Sequence, residues 1–213
     1  ARSDHVIAVS AHTAGHVETL LGVERSHITV VHHGVDPAPE FSPADLAAFR
    51  QRHGIEQPFL LHVGAIQARK NIGRLVDALA SLDPQVLLVL AGSDGYGAAG
   101  IHERIRCNPR VRVLGYVSPA ALAKLYRTAA ALAFSSLDEG FGLPVLEAMA
   151  AGLPVVTSNR SALAEVAGDA ALLVDPTDTA AIADALRRAV EDSALRDELI
   201  RKGRARATQF RWS

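Results

Sequence analysis

The amino-acid sequence predicts an α/β fold: a doubly wound, mostly parallel sheet with helices on both faces. Three observations lead there. Short β-branched or apolar runs alternate with helical stretches almost from end to end. Several of those runs are apolar throughout instead of alternating, as strands buried on both faces must be. The residues between them are those that turn a strand into a helix.

Taken in order, residues 5–9 and 28–32 read as strands, and the Pro-rich stretch 37–43 reads as a surface connector within one domain spanning 1–213. The run F-L-L-H-V at 59–63 is a buried strand; Asn71 can cap a helix to about Ser81 with Ile72, Leu75, Val76 and Leu79 on one face. Strands follow at 86–91 and 111–114. Ser118-Pro119 opens a helix carrying Leu122, Leu125 and Tyr126. Lys124 and Arg127 make the stretch from 120 amphipathic, and a strand at 131–134 completes it. A helix starting near Pro144 ends at Gly152, strands lie at 155–157 and 171–174, and Asp178 or Thr179 starts a helix with Ile182, Leu186 and Val190 inward. No internal repeat or low-complexity segment interrupts the pattern.

Composition narrows the function. Lys plus Arg (22) nearly balance Asp plus Glu (23), so no field of one sign exists to hold a nucleic-acid backbone or an anionic membrane by charge alone. Cys107 is the single cysteine, which excludes a disulfide framework and a Cys-based zinc site and fits a reducing, cytoplasmic setting. No apolar run approaches the roughly 20 residues of a membrane helix. The opening A-R-S-D-H-V-I-A-V-S reads as lacking a charged-then-apolar leader.

In a parallel sheet of this kind, ligands bind at the carboxyl ends of strands, where loops enter helix N-termini. The loop 135–144 is placed there. Gly140 and Gly142 permit close backbone approach, Pro144 suits a first helical turn, and the amides around Phe141, Gly142 and Leu143 would be free donors at the positive end of a helix. Glu139 and Glu147, eight residues apart across the loop, can reach different parts of one ligand. The plainer reading is a tight turn with two solvated glutamates. A second glycine turn, Gly64 to Asn71, carries Arg69 and Lys70 beside a helix start, where cations oppose the helix dipole unless an anion sits there. A fork and a point charge suit the two phosphates of a diphosphate.

These loops, G-x5-K-N and E-G-F-G-L-P-x-L-E-A-M-A-x-G-x-P-V, resemble the family 4 retaining glycosyltransferases of GT-B fold. The likeness extends through 161–168, A-L-L-V-D-P-T-D, H-V-I-A-V-S and I-T-V-V-H-H-G-V-D, nearly the whole chain. The resemblance implies a Rossmann-like half of a GT-B enzyme that binds a nucleoside-diphosphate sugar and transfers a hexose to a glycan or lipid-linked acceptor. By position it gives the diphosphate to Arg69 and Lys70, sugar hydroxyls to Glu139 with the backbone of Gly140, Phe141, Gly142 and Leu143, the ribose to Glu147, the base to backbone near Tyr116 and Val117, and close phosphate approach to Gly64. Ala65 stands where many members have Arg, and His33 where many have Asn. The R-K-N form is similar to bacterial polysaccharide mannosyltransferases, which makes GDP-mannose the expected donor. No metal or other cofactor is expected. An acceptor-binding N-terminal domain outside this chain, weak transfer by the chain alone, no nucleic-acid partner, and a cytoplasmic location with peripheral contact at the inner face of a membrane complete the expectation. Loss of Lys70 is expected to weaken donor binding far more than folding.

Weaker signals have plainer readings. Gly95 to Gly100 matches G-x-G-x-x-G, but no acidic residue lies between Glu103 and Asp138 to take a ribose, so an NAD(P)-dependent oxidoreductase is the lesser alternative and a Gly-rich loop the plain one. His12 with His16, and His32 and His33 with Asp36, lack a third nearby ligand and read as hydrogen-bonding residues. There is no Asp-x-Asp and no G-x-S-x-G. A non-catalytic α/β binding module is the other class the sequence leaves open.

Overall fold

A computed structural model describes residues 4–106 and 108–212; Cys107 lies outside the described residues. Two parallel sheets are present among them. The first pairs β1 (Val6–Ala8) with β2 (Ile28–Val30), joined by α1 (Ala11–Leu21). After α2 (Pro43–Arg52), which begins within what the sequence reads as connector, comes the main sheet: β3 (Phe59–Val63), α3 (Ile72–Leu79), β4 (Leu87–Ala91), α4 (Ala98–Ile105), β5 (Val111–Gly115), α5 (Pro119–Thr128), β6 (Ala131–Phe134), α6 (Leu143–Ala150), β7 (Val155–Ser158), α7 (Ser161–Ala167) and β8 (Leu172–Val174). The helices α8 (Thr179–Glu191) and α9 (Ser193–Ala207) follow. All eight expected strands form, within a residue or two of their expected ends.

Strand order in the main sheet is β5-β4-β3-β6-β7-β8, parallel throughout. The chain therefore works outward in one direction from β3, returns, and works outward in the other from β6. Every residue of β3, β4, β6 and β7 is buried, which explains their mainly apolar character; His62, Thr157 and Ser158 are the buried polar members. Alternation directs Leu61, Val63 and Phe134 into a core with α2, α5, α6, α7 and α9, and Leu60, Leu88, Leu90 and Ala133 into a second core with α3, α4 and α8.

Local chemistry accounts for most helix starts. Ser118 accepts the Ala121 N–H and Asp178 accepts the Ala181 N–H, each as N-cap. Asn71 departs from the expectation. It precedes α3 in a left-handed conformation (φ 59°) and makes no side-chain cap. Its amide instead donates to the Ser135 carbonyl at 2.9 Å and the Pro176 carbonyl at 2.7 Å, tying three segments together.

The small sheet is fastened to the main body at the N-terminus of α1. The Glu165 carboxylate, from α7, accepts the Ala11 N–H at 3.0 Å and the His12 N–H at 3.3 Å, and its Oε1 lies 2.8 Å from His32 Nε2. Partial burial pushes the Glu165 pKa up, but these donors outweigh it and hold the group below the ordinary carboxylate range. Replacing Glu165 by Ala should free two helix-end amides and cost about 1 kcal/mol, the scale of a lost cap. Hydrogen exchange at Ala11 and His12 should accelerate relative to the core strands; unchanged protection there would contradict this attachment.

His62 is the unusual member of β3. It is fully buried, its Nδ1 lies 3.0 Å from the Ala133 carbonyl, and its Nε2 has no hydrogen-bond partner among the described residues. Burial, the larger effect, and the nearby Lys70 charge lower its pKa to about 4. A folded-state pKa below the unfolded value of about 6.5 means that the unfolded chain takes up the proton first. Stability is thus full above pH 6.5 and is lost as pH falls toward 4, by about 2 kcal/mol at pH 5 from this group. Urea unfolding at pH 7.5 and 5 should show that loss in the wild type and a flatter response in His62→Gln.

Candidate functional site

The switch in strand order falls between β3 and β6. Loops leaving the carboxyl ends of two such adjacent strands diverge to opposite faces and leave a crevice between them. The loop after β3 carries Gly64, Arg69 and Lys70, and the loop after β6 carries Asp138, Glu139 and Gly140. The sequence motifs therefore meet because of the topology, although they lie some 70 positions apart.

They meet as an ion-paired cluster. Lys70 Nζ donates to Glu139 Oε1 at 2.7 Å, and Arg69 Nη1 lies 2.9 Å from Glu139 Oε2. The Arg69 guanidinium also donates to the Asp138 carbonyl, while its own carbonyl accepts the Leu137 N–H. Lys70 and Glu139 are both buried, whereas the Arg69 side chain is 44% exposed. Burial pushes the Glu139 pKa up, but hydrogen bonds and charge from Lys70, then Arg69, more than compensate and keep it below the usual carboxylate range. Glu139 is thus ionised at neutral pH and can accept hydrogen bonds but has no proton to give.

Two expectations change here. The cation pair does not stand unanswered at the start of α3: Ala68–Lys70 is a 3-10 turn, and Glu139 is the anion it faces. Lys70 is also a poor residue for separating binding from folding. Removing one partner of a buried ion pair strands the other and destabilises by roughly 3–5 kcal/mol. Lys70→Ala should therefore affect folding as well as any ligand.

Gly64 and Gly142 are required by position. Gly64 has φ 133°, which side chains rarely adopt, and a Cβ there would stand 3.2 Å from Lys70 Cε, crowding the ammonium. Gly142, at φ 109°, precedes α6, and a Cβ would meet Leu163 Cδ2 at 2.6 Å. Leu143 and Pro144 form the first turn of α6, so the loop delivers the peptides of 140–143 to a helix N-terminus. Phe141 is buried, with His33 against it edge-on at a centroid distance of 5.1 Å.

Glu147, on α6, lines a cavity of about 270 Å³ together with Leu122, Leu143 and Trp212. Tyr116 and Val117 follow β5. Tyr116 is 78% exposed, Val117 packs against the apolar core, and no ion pair or side-chain hydrogen bond joins either to the Lys70–Glu139 cluster.

Several contributors have no local signature in the sequence. The Ser161 hydroxyl accepts the Glu139 N–H at 3.1 Å. The hydroxyls of Ser10 and Thr13 donate to the Gly140 carbonyl at 2.7 and 3.0 Å, bringing α1 onto the loop. Tyr126 donates to Glu147. Each is an ordinary hydroxyl in sequence, and only long-range packing gives it a partner.

The lesser motifs have structural occupations. Gly97, at φ 78°, precedes α4 after β4, and Asp94 lies 2.6 Å from His102 Nε2, so Gly95 to Gly100 leads out of the second strand of the sheet, not the first. His12 Nε2 lies 3.0 Å from Asp138 Oδ1, and His12 and His16 are ring neighbours at 4.2 Å. No group of three metal-ligating side chains occurs among the described residues.

Comparison with known proteins agrees with this arrangement. The family described as glycosyl transferases group 1 matches residues 46–206, and glycosyltransferase family 4 matches residues 1–39. O-antigen chain mannosyltransferase B of Escherichia coli is 36% identical over 179 residues, covering 80% of this chain and 47% of that protein. D-inositol 3-phosphate glycosyltransferase of Xylanimonas cellulosilytica is 34% identical over 232 residues, covering 100% of this chain and 54% of that protein. The chain thus spans about half the length of these curated relatives. Anabaena HepE, solved in complex with UDP and glucose, superposes with a TM-score of 0.89 at 25% identity, covering 98% of this chain and 59% of that one. The doubly wound sheet, the paired loops at its switch point and a family match over residues 46–206 place this chain among the group 1 glycosyl transferases, with the GT-B type of fold.

Proposed function

We propose that the chain is the donor-binding half of a retaining glycosyltransferase, which holds a nucleoside-diphosphate sugar with its diphosphate over Arg69 and Lys70. The observation that carries this reading is the Arg69–Lys70–Glu139 cluster at the switch point. Two cations against one ionised carboxylate leave a net charge of about +1. Lys70 has three donors and spends one on Glu139; Arg69 has five and engages Glu139 and the Asp138 carbonyl. The donors that remain, chiefly those of the half-exposed Arg69, would engage phosphate oxygens.

The chemistry follows from those charges. Cleaving the sugar–phosphate bond builds negative charge on the leaving diphosphate. Fixed cations and loop amides stabilise that charge without reorganising, which is how preorganised sites lower barriers. Glu139, ionised, accepts hydrogen bonds from sugar hydroxyls and so orients the ring. On this reading no metal is needed for donor binding, because the two side chains and the N-terminus of α6 supply the positive charge.

GDP-mannose is the donor we favour, supported by the likeness to the E. coli mannosyltransferase; HepE, solved with UDP and glucose, makes UDP-glucose the competing donor. The acceptor, a growing glycan or a lipid-linked sugar, would be bound by the remainder of a longer protein at the inner face of a membrane. Among the described residues no helix is long and apolar enough to cross a membrane.

Calorimetric titration of the chain with GDP-mannose, UDP-glucose, ADP-glucose and NAD should give binding by a nucleotide sugar and none by NAD. Arg69→Ala should weaken that binding by on the order of 1.5–3 kcal/mol, the range for hydrogen bonds to charged groups. Its melting temperature should fall less than that of Lys70→Ala, since the guanidinium is half in solvent while the Lys70 ammonium is buried. Equal affinity in variant and wild type would remove the diphosphate from this cluster. Binding should persist in EDTA; its loss there would reinstate a metal.

A further inference from the structure

We propose that Tyr126 is a positioning residue for nucleotide recognition, which orients the Glu147 carboxylate toward the ribose hydroxyls. The proposal rests on the donor-binding reading and adds to it a residue outside both glycine loops. Tyr126 lies on α5 and is 5% exposed; Glu147 lies on α6 at the edge of the 270 Å³ cavity. The phenol donates to Glu147 Oε2 at 2.7 Å, and among the described residues Oε1 accepts no hydrogen bond.

The geometry divides the carboxylate's work. A glutamate's terminal torsion has broad, weak preferences, so an unheld carboxylate samples many orientations. A buried donor on Oε2 restricts the carboxylate's orientation and leaves Oε1 as the unengaged acceptor of a residue that lines the cavity. A ribose presents two adjacent hydroxyls, and one acceptor in a fixed place can take a hydrogen bond from them. A 2′,3′-dideoxyribose has nothing to offer it. Burial first, then the Glu147 charge and hydrogen bond, raise the phenol's pKa well above its ordinary value, so Tyr126 stays a donor throughout the physiological range. Phe in its place would keep the ring packing and remove only the donor.

The experiment uses the 213-residue chain with UDP, GDP and ADP and their 2′,3′-dideoxy counterparts as probes. For the diphosphate that binds, the wild type should prefer the ribonucleotide. Tyr126→Phe should weaken the ribonucleotide about five- to tenfold, the scale of one hydrogen bond, and leave the dideoxynucleotide unchanged. In a Glu147→Ala background the same substitution should have no further effect on either. A merely structural tyrosine would instead lower both affinities together, or lower only the melting temperature, and either result overturns the proposal. Loss of discrimination in Glu147→Ala with none in Tyr126→Phe would overturn the role of Tyr126 and leave that of Glu147 standing. A wild type that binds a diphosphate but does not tell ribose from dideoxyribose would overturn this proposal and leave the donor-site reading standing, whereas one that binds no nucleoside diphosphate would overturn both.

Discussion

The site depends on one buried ion pair, Lys70 with Glu139. Desolvating an ammonium and a carboxylate is costly, and a lone member of the pair in that position would be strongly unfavourable. The two charges are tolerated because they meet at 2.7 Å and because Arg69 pairs with the second oxygen of Glu139. The pair in turn holds the loop after β3 against the loop after β6, so the crevice is set before any ligand arrives. Gly64, at φ 133°, passes close beneath the Lys70 side chain, and the lowered Glu139 pKa follows from the pair.

Much of the fold was legible in the sequence because its signals are local. A strand buried on both faces announces itself by a mainly apolar run without alternation, and F-L-L-H-V and A-L-A-F did so to the residue. Ser118-Pro119 and Asp178 marked helix starts because a cap needs only the next three residues. Asn71 looked like such a cap by the same rule. It fails because two carbonyls brought close by the fold, those of Ser135 and Pro176, compete for its amide. The pairing of β1 with β2 in a sheet of their own was likewise invisible, since strand partners are chosen at long range.

The candidate site was legible in part, for a related reason. Arg69, Lys70 and Glu139 were each conspicuous, and strand order alone brings them together. The inference from the basic pair was incomplete, because an anion was sought outside the protein and one is already inside it. Ser10, Thr13, Tyr126 and Glu165 could not be singled out from sequence. A hydroxyl or carboxylate with no motif around it acquires meaning only from the group it touches.

The two hydroxyls on the Gly140 carbonyl have an effect on the far side of the same peptide. No cis bond is present among the described residues, and a trans peptide is a rigid plane with its C=O and N–H pointing in opposite directions. Pinning the Gly140 oxygen toward Ser10 and Thr13 therefore turns the Phe141 N–H away from α1. One vector of the glycine loop is thus aimed by side chains of the smaller sheet. Any displacement of β1, α1 and β2 against the main body would rotate that plane, so the position of one sheet sets the direction of a hydrogen-bond donor in the other.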